Sequence, residues 1–123
     1  MRIKIDVDDV SMEAVLDDTE TARAIYDQLP VKNQALTWGD EIYFEVPVAQ
    51  TEDLTARQLV EAGELAYWPV GRMFCVFFGP TPVSGPGEIR AASEVNILGR
   101  VEGDPLVFKK VQAGTIVTLS RIE

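Results

Sequence analysis

At 123 residues, 46% of them hydrophobic, the chain is long enough to bury one core and too short for two, so a single domain over residues 1–123 is expected. A formal net charge of -9 works against nucleic acid and anionic membrane surfaces, because both need clustered Lys and Arg. Histidine is absent and Cys75 is the only cysteine, which excludes Ser-His-Asp and Cys-His catalysis, imidazole or thiolate metal sites and a disulfide within the chain.

The opening MRIKIDVDD has no apolar run of the signal-peptide kind, and no stretch approaches the roughly 20 apolar residues that cross a bilayer. A soluble cytoplasmic protein is the expectation. In RIKIDV, Ile3, Ile5 and Val7 alternate with Arg2, Lys4 and Asp6, the pattern of a half-buried strand. Asp8-Asp9 supplies a turn, and Val10, Met12, Ala14 and Leu16 read as the returning strand. DVDD lacks the glycine and terminal glutamate of a calcium loop. No metal site and no cofactor is expected. Asp17 and Glu20 match a capping box, Ala22, Ile25, Tyr26 and Leu29 fall at helical spacing, and Pro30 stops the helix.

Strands are expected over residues 33–38 and 41–46, joined by a tight Gly39-Asp40 turn. The second separates Ile42, Phe44 and Val46 from Glu41, Tyr43 and Glu45. Residues 51–60 have poor apolar spacing and read as loop. Residues 65–68 and 72–78 are apolar on both faces, as strands covered on two sides are. Residues 79–93 form a long loop, rich in Gly and Pro. Strands over 93–101 and 115–122 flank a short helix at DPLVFKKV, with Asp104 as its cap and Pro105 at its first position. The expected class is mainly β, with eight short strands and two helices.

This order of elements resembles the cyclophilins, and the chain is most similar to the small prokaryotic cyclophilin-like proteins. The passages DDTETARAIYDQLPV, TWGDEIYFEVP, GELAYWPVGRMFCVFFGPTP and VNILGRV carry the likeness over nearly the whole chain. The resemblance implies a closed eight-stranded barrel with two short capping helices, a packed interior and a ligand groove on the outside. In cyclophilins that groove binds a prolyl peptide, and an arginine favours rotation by weakening amide resonance. Set against the family, the groove phenylalanine becomes Asp40, the groove glutamine becomes Tyr43 and the catalytic arginine falls on Ala35. Phe74 matches, whereas Cys75 stands where a second phenylalanine belongs. The groove tryptophan and histidine have no counterpart in residues 79–93. The family's catalytic residues are thus not carried over, and whether the chain is an enzyme is left open.

The loop GPTPVSGPGEIR is stiffened by three prolines and offers the hydroxyls of Thr81 and Ser84 and the guanidinium of Arg90. It is either a ligand-contacting loop or a rigid corner. It is neither a P-loop nor a nucleophile elbow. Glu41, Tyr43 and Glu45 share a strand face that is either solvated or an acidic, aromatic groove suited to a cationic or polar ligand. Trp38 and Phe78, at strand ends beside turns, are the aromatics placed to reach a pocket; most others fill the core. Cys75 reads as an inert buried thiol.

The expected function is therefore a non-catalytic binding module for a peptide or small polar ligand. Trp38, Glu41, Tyr43, Phe74, Phe78, Thr81, Ser84 and Arg90 are the candidate ligand-binding residues, and none is assigned a catalytic role. The alternative is an atypical peptidyl-prolyl isomerase in which Arg72 or Arg90 replaces the missing arginine. A third reading makes the aromatic loop an interface between copies of the chain. Nucleic acid and membranes are not expected partners.

Overall fold

The computed structural model describes residues 1–122, and their architecture is mainly β. The first two strands, β1 (Arg2–Val7) and β2 (Val10–Leu16), form the hairpin read from the alternation, with Asp8 at positive φ (53°) in the turn. Helix α1 (Glu20–Gln28) follows. Its cap is Thr19, whose hydroxyl accepts from the Ala22 N–H, and not Asp17. The helix begins at Glu20, so Thr19 occupies the cap position, while Asp17 lies two residues before it with its N–H donating to Leu98 O (2.7 Å).

The segment expected as one strand over 33–38 is two, β3 (Val31–Gln34) and β4 (Leu36–Thr37). Buried Ala35 parts them: its N–H donates to Thr115 O and its carbonyl accepts from Gly114 N, both at 2.8 Å. After β5 (Glu41–Glu45) comes β6 (Arg57–Val60), inside the stretch expected as loop. Then come β7 (Glu64–Trp68), β8 (Met73–Phe77), the long β9 (Ile89–Val101) and β10 (Ile116–Arg121). The segment Pro105–Lys110 is a 3-10 helix, capped by Asp104 as expected.

All pairings are antiparallel, in the order β3-β10-β1-β2-β9-β7-β8-β5-β4, with β6 joined to β9. The closed eight-stranded barrel with two short capping helices is therefore corrected to a ten-stranded sheet with two free ends, one α-helix and one 3-10 helix. The break lies at Ala35: before it β3 pairs with β10, after it the two-residue β4 pairs with β5, and where the two ladders part the Asn33 side chain reaches across, donating to Glu45 O at 3.0 Å.

The sheet carries apolar residues on two sides. Its inner face supplies Ile3, Ile5, Ile42, Phe44, Leu65, Tyr67, Phe74, Val76 and Leu119, covered in part by Ala22 and Ile25 of α1 and by Phe108. A second, smaller core lies on the outer face of β7 and β8. There Ala66, Cys75 and Phe77 meet Val60 of β6 and Ala91, Val95 and Ile97 of β9. Strand β9 reaches both places by bending. Its first half pairs with β6, its second with β7 and β2, and its register against β7 shifts between Leu65 and Ala66. That shift leaves Leu98 as an extra residue, a bulge next to Gly99 (φ 153°). A buried network locks the bend from behind. Asn96 accepts from Asp53 N and donates to Thr21 Oγ1 and Thr51 O, while Thr55 Oγ1 accepts from Ile97 N.

A Cβ on Gly99 would sit 1.9 Å from the Val15 carbonyl oxygen, which is backbone and cannot turn aside. Gly99→Ala is therefore expected to destabilise the protein by about 3 kcal/mol or more, read from urea unfolding. A loss under about 1 kcal/mol would mean that the bulge is not a required feature.

Candidate functional site

The hairpin register decides which side chains share the outer face. Glu41 is paired with Phe77 and Tyr43 with Cys75, so these four project to one side, while Ile42, Phe44, Phe74 and Val76 project to the other. The small outer core does not fill the whole of this face. Between it and the β4–β5 turn is a cavity of about 210 Å³. Its floor is Glu41, Tyr43, Cys75 and Phe77. Trp38 and Trp68 form walls, and Ala91, Ala92 and Val95 of β9 form a rim. The Trp68 indole is held in place by donating to Ser93 Oγ at 2.7 Å.

Of the residues singled out from the sequence, Trp38, Glu41 and Tyr43 line this cavity. Phe74 and Phe78 lie in the inner core, Phe74 against Phe44 and Phe78 against Phe108. Thr81, Ser84 and Arg90 meet one another in the loop instead. Ser84 Oγ accepts from Thr81 N (2.9 Å) and Arg90 N (3.0 Å), and the Thr81 hydroxyl donates to Arg90 O. The Arg90 guanidinium is engaged by Glu88 (2.7 Å) and Gln58. The loop in turn fixes the floor of the β4–β5 turn, since Asp40 N donates to Pro80 O and Phe78 N to Asp40 O, both at 2.9 Å. At Gly39 (φ 58°) a Cβ would come within 2.9 Å of Pro80 O, so the close packing of turn on loop requires glycine there.

Trp68 and Phe77, read among the aromatics that mostly fill the core, and Cys75, read as an inert buried thiol, also line the cavity, and Ala91, Ala92 and Val95 join them without having been picked out from the sequence. The signal for Cys75 and Phe77 was the alternation of β8, since residues of odd number there share a face with Glu41 and Tyr43 once β5 pairs with it. The contribution of β9 depends on its bend and had no local signal.

Among the described residues two carboxylates are buried, and they are treated oppositely. Glu64, 5% exposed, forms a two-pronged pair with Arg57 (2.9 and 2.6 Å) and accepts from Glu61 N at 2.8 Å. Burial pushes its carboxyl up, but the bonds from Arg57 and Glu61 outweigh it, and the group stays below its usual value. Glu41, 6% exposed, has no such partners. Burial drives its carboxyl from 4.5 up to about 7, and only the nearness of the Cys75 thiol, which itself donates to Met73 O (3.8 Å), opposes the rise. Cys75 is itself raised well above its ordinary value, by burial first and then by the charge of Glu41, so it is a poor nucleophile. Among the described residues no group of three or more His, Cys, Asp or Glu side chains could hold a metal ion. No helix among the described residues is long and apolar enough to cross a membrane. Arg72 borders a separate hollow of about 580 Å³ with Lys32, Asn33 and Pro47, lined mostly by exposed residues.

The position of Glu41 has a signed consequence for stability. The folded state holds the proton up to about pH 7, whereas the unfolded chain releases it near 4.5. Stability from this group is therefore highest below about 4.5 and falls as pH rises to about 7. Glu41→Gln is expected to be near-neutral at pH 4.5 and to stabilise the protein at pH 8 by about 3 kcal/mol, the full effect of the shift. Urea unfolding at the two pH values checks this; a difference that does not change with pH contradicts it.

A cyclophilin-like family model matches residues 1–120. Among solved structures, a hypothetical protein of Archaeoglobus fulgidus, determined in solution, superposes with a TM-score of 0.84 at 40% sequence identity, over 99% of this chain and 95% of that one. No curated protein matches the chain. With the family model spanning almost every residue, and a relative this similar over its whole length, the chain belongs to the cyclophilin-like family.

Proposed function

We propose that the protein is a non-catalytic binding module whose small ligand occupies the outer cavity between β5, β8 and the bent arm of β9. The observation that carries this reading is the pairing of an apolar, aromatic-walled cavity of about 210 Å³ with a buried carboxyl that lacks a cationic partner. Pockets that are mostly apolar with a few convergent polar groups are the usual form of small-molecule sites. Retaining an unpaired carboxyl there disfavours the free protein, which is the pattern of a group kept for something other than stability. Trp38, Glu41, Tyr43 and Trp68 are the proposed contact residues. The loop bearing Thr81, Ser84 and Arg90 serves the site indirectly, by holding the Gly39-Asp40 turn that carries Trp38 and Glu41.

The isomerase alternative has no specific support. A prolyl isomerase of the groove-arginine kind needs a free guanidinium beside the ligand. No arginine lines the cavity, Arg90 is engaged by Glu88 and Gln58, and Arg72 borders a different hollow.

Ala92 sits exposed on the rim, so Ala92→Phe plugs the mouth while changing stability by no more than about 0.5 kcal/mol. Screening small aromatic and aliphatic fragments by amide NMR should give shifts at residues 41, 43, 68, 75 and 77, and Ala92→Phe should remove them. Fragments that shift other regions only, or that still shift these amides in Ala92→Phe, would sink the placement.

A further inference from the structure

Resting on the reading of the outer cavity as a ligand site, we propose that its ligand is a free, small organic cation. This is a primary amine or guanidine whose charged head meets the Glu41 carboxylate and whose apolar body lies among Trp38, Tyr43 and Trp68. The chemistry of the lining narrows the choice. An anion would face a carboxylate at the cavity floor with no basic side chain to offset it. A neutral apolar ligand would strip water from that carboxylate and give nothing back. A cation supplies the partner that Arg57 supplies to Glu64, and the aromatic side chains of Trp38, Tyr43 and Trp68 that line the cavity are of the kind that attracts positive charge.

Size and long-range charge agree. A dry cavity of about 150 Å³ takes up benzene, so about 210 Å³ leaves room for one ring or a short alkyl chain with its head group. The net charge of -9 concentrates small cations around the protein. The titratable side chains facing Glu41 are Tyr43 of β5 itself and Cys75 of β8. Strand β7 contributes Trp68, and β9 contributes only Ala91, Ala92 and Val95. A cation needs the carboxylate ionised, so its affinity rises with pH up to about 7 and levels above it.

Three probes of one shape separate the alternatives: benzylamine, benzyl alcohol and benzoate, each titrated into labelled protein and followed by amide NMR. At pH 8 benzylamine should bind at least tenfold more tightly than benzyl alcohol, and benzoate should not bind. At pH 5.5 benzylamine affinity should fall by about thirtyfold, tenfold for each unit below the carboxyl's value. Glu41→Gln should erase the preference for the amine while benzyl alcohol still shifts the cavity amides. The pH series on the unaltered protein carries the same test if that variant does not fold. Equal affinities for amine and alcohol, with the cavity amides shifting, overturn the cation and leave the cavity reading intact. No response to any probe overturns both. Tighter binding of a capped Gly-Lys-Gly peptide than of benzylamine overturns the free small molecule in favour of a lysine side chain.

Discussion

Strands β7 and β8 are apolar on both faces, and a sheet can bury only one of those faces in its own interior. Leu65, Tyr67, Phe74 and Val76 go inward, which leaves Ala66, Cys75 and Phe77 needing a second cover. The chain provides it by bending β9 through the bulge at Leu98 and Gly99, so that its first half, joined to β6, folds across the outside. The cover meets β5 only in part, through Tyr43, and the space left between β9, β5 and Trp38 is the cavity. The site is thus a by-product of how a two-sided strand pair is closed off. It lies beside a rigid turn because the proline-rich loop after β8 is hydrogen-bonded to Asp40.

The two buried carboxylates give the site its chemical character. Glu64 shows what this fold does when a carboxylate must be buried for structure: a bidentate arginine and a backbone N–H surround it. Glu41, also buried and on the same outer face, has neither an arginine nor a backbone N–H beside it, and the Cys75 thiol donates to Met73 O instead. Hydrophobic residues of similar volume would pack that position at lower cost. On the proposed reading, a carboxyl without a charged partner would favour a ligand that brings the missing positive charge, in the way that pre-organised sites do.

Much of this was legible in the sequence. The β1–β2 alternation, the helix ended by Pro30, the doubly apolar β7 and β8 and the Asp104 cap all follow from local patterns. So did Glu41 and Tyr43, because period-two separation in EIYFEV is unambiguous. Closure was not legible. The break between the β3 and β4 ladders falls at Ala35, whose backbone meets residues 114 and 115 nearly eighty positions away, so no local pattern marks it. Strand β6 was invisible for a similar reason: Arg57–Val60 has little apolar pattern of its own and is a strand because β9 bends to meet it. In the site, Thr81, Ser84 and Arg90 read as ligand donors because sequence shows hydrogen-bonding capacity and not its use. In the folded loop those groups bind one another.

The most direct test of the account is the titration of individual glutamate carboxyls by carbon NMR in the unliganded protein. The account predicts that Glu41 loses its proton near pH 7 while Glu64 does so below the ordinary glutamate value. A Glu41 carboxyl that titrates near 4.5 would mean that water or a cationic side chain already satisfies it. The cavity would then have no unmet charge to offer a ligand.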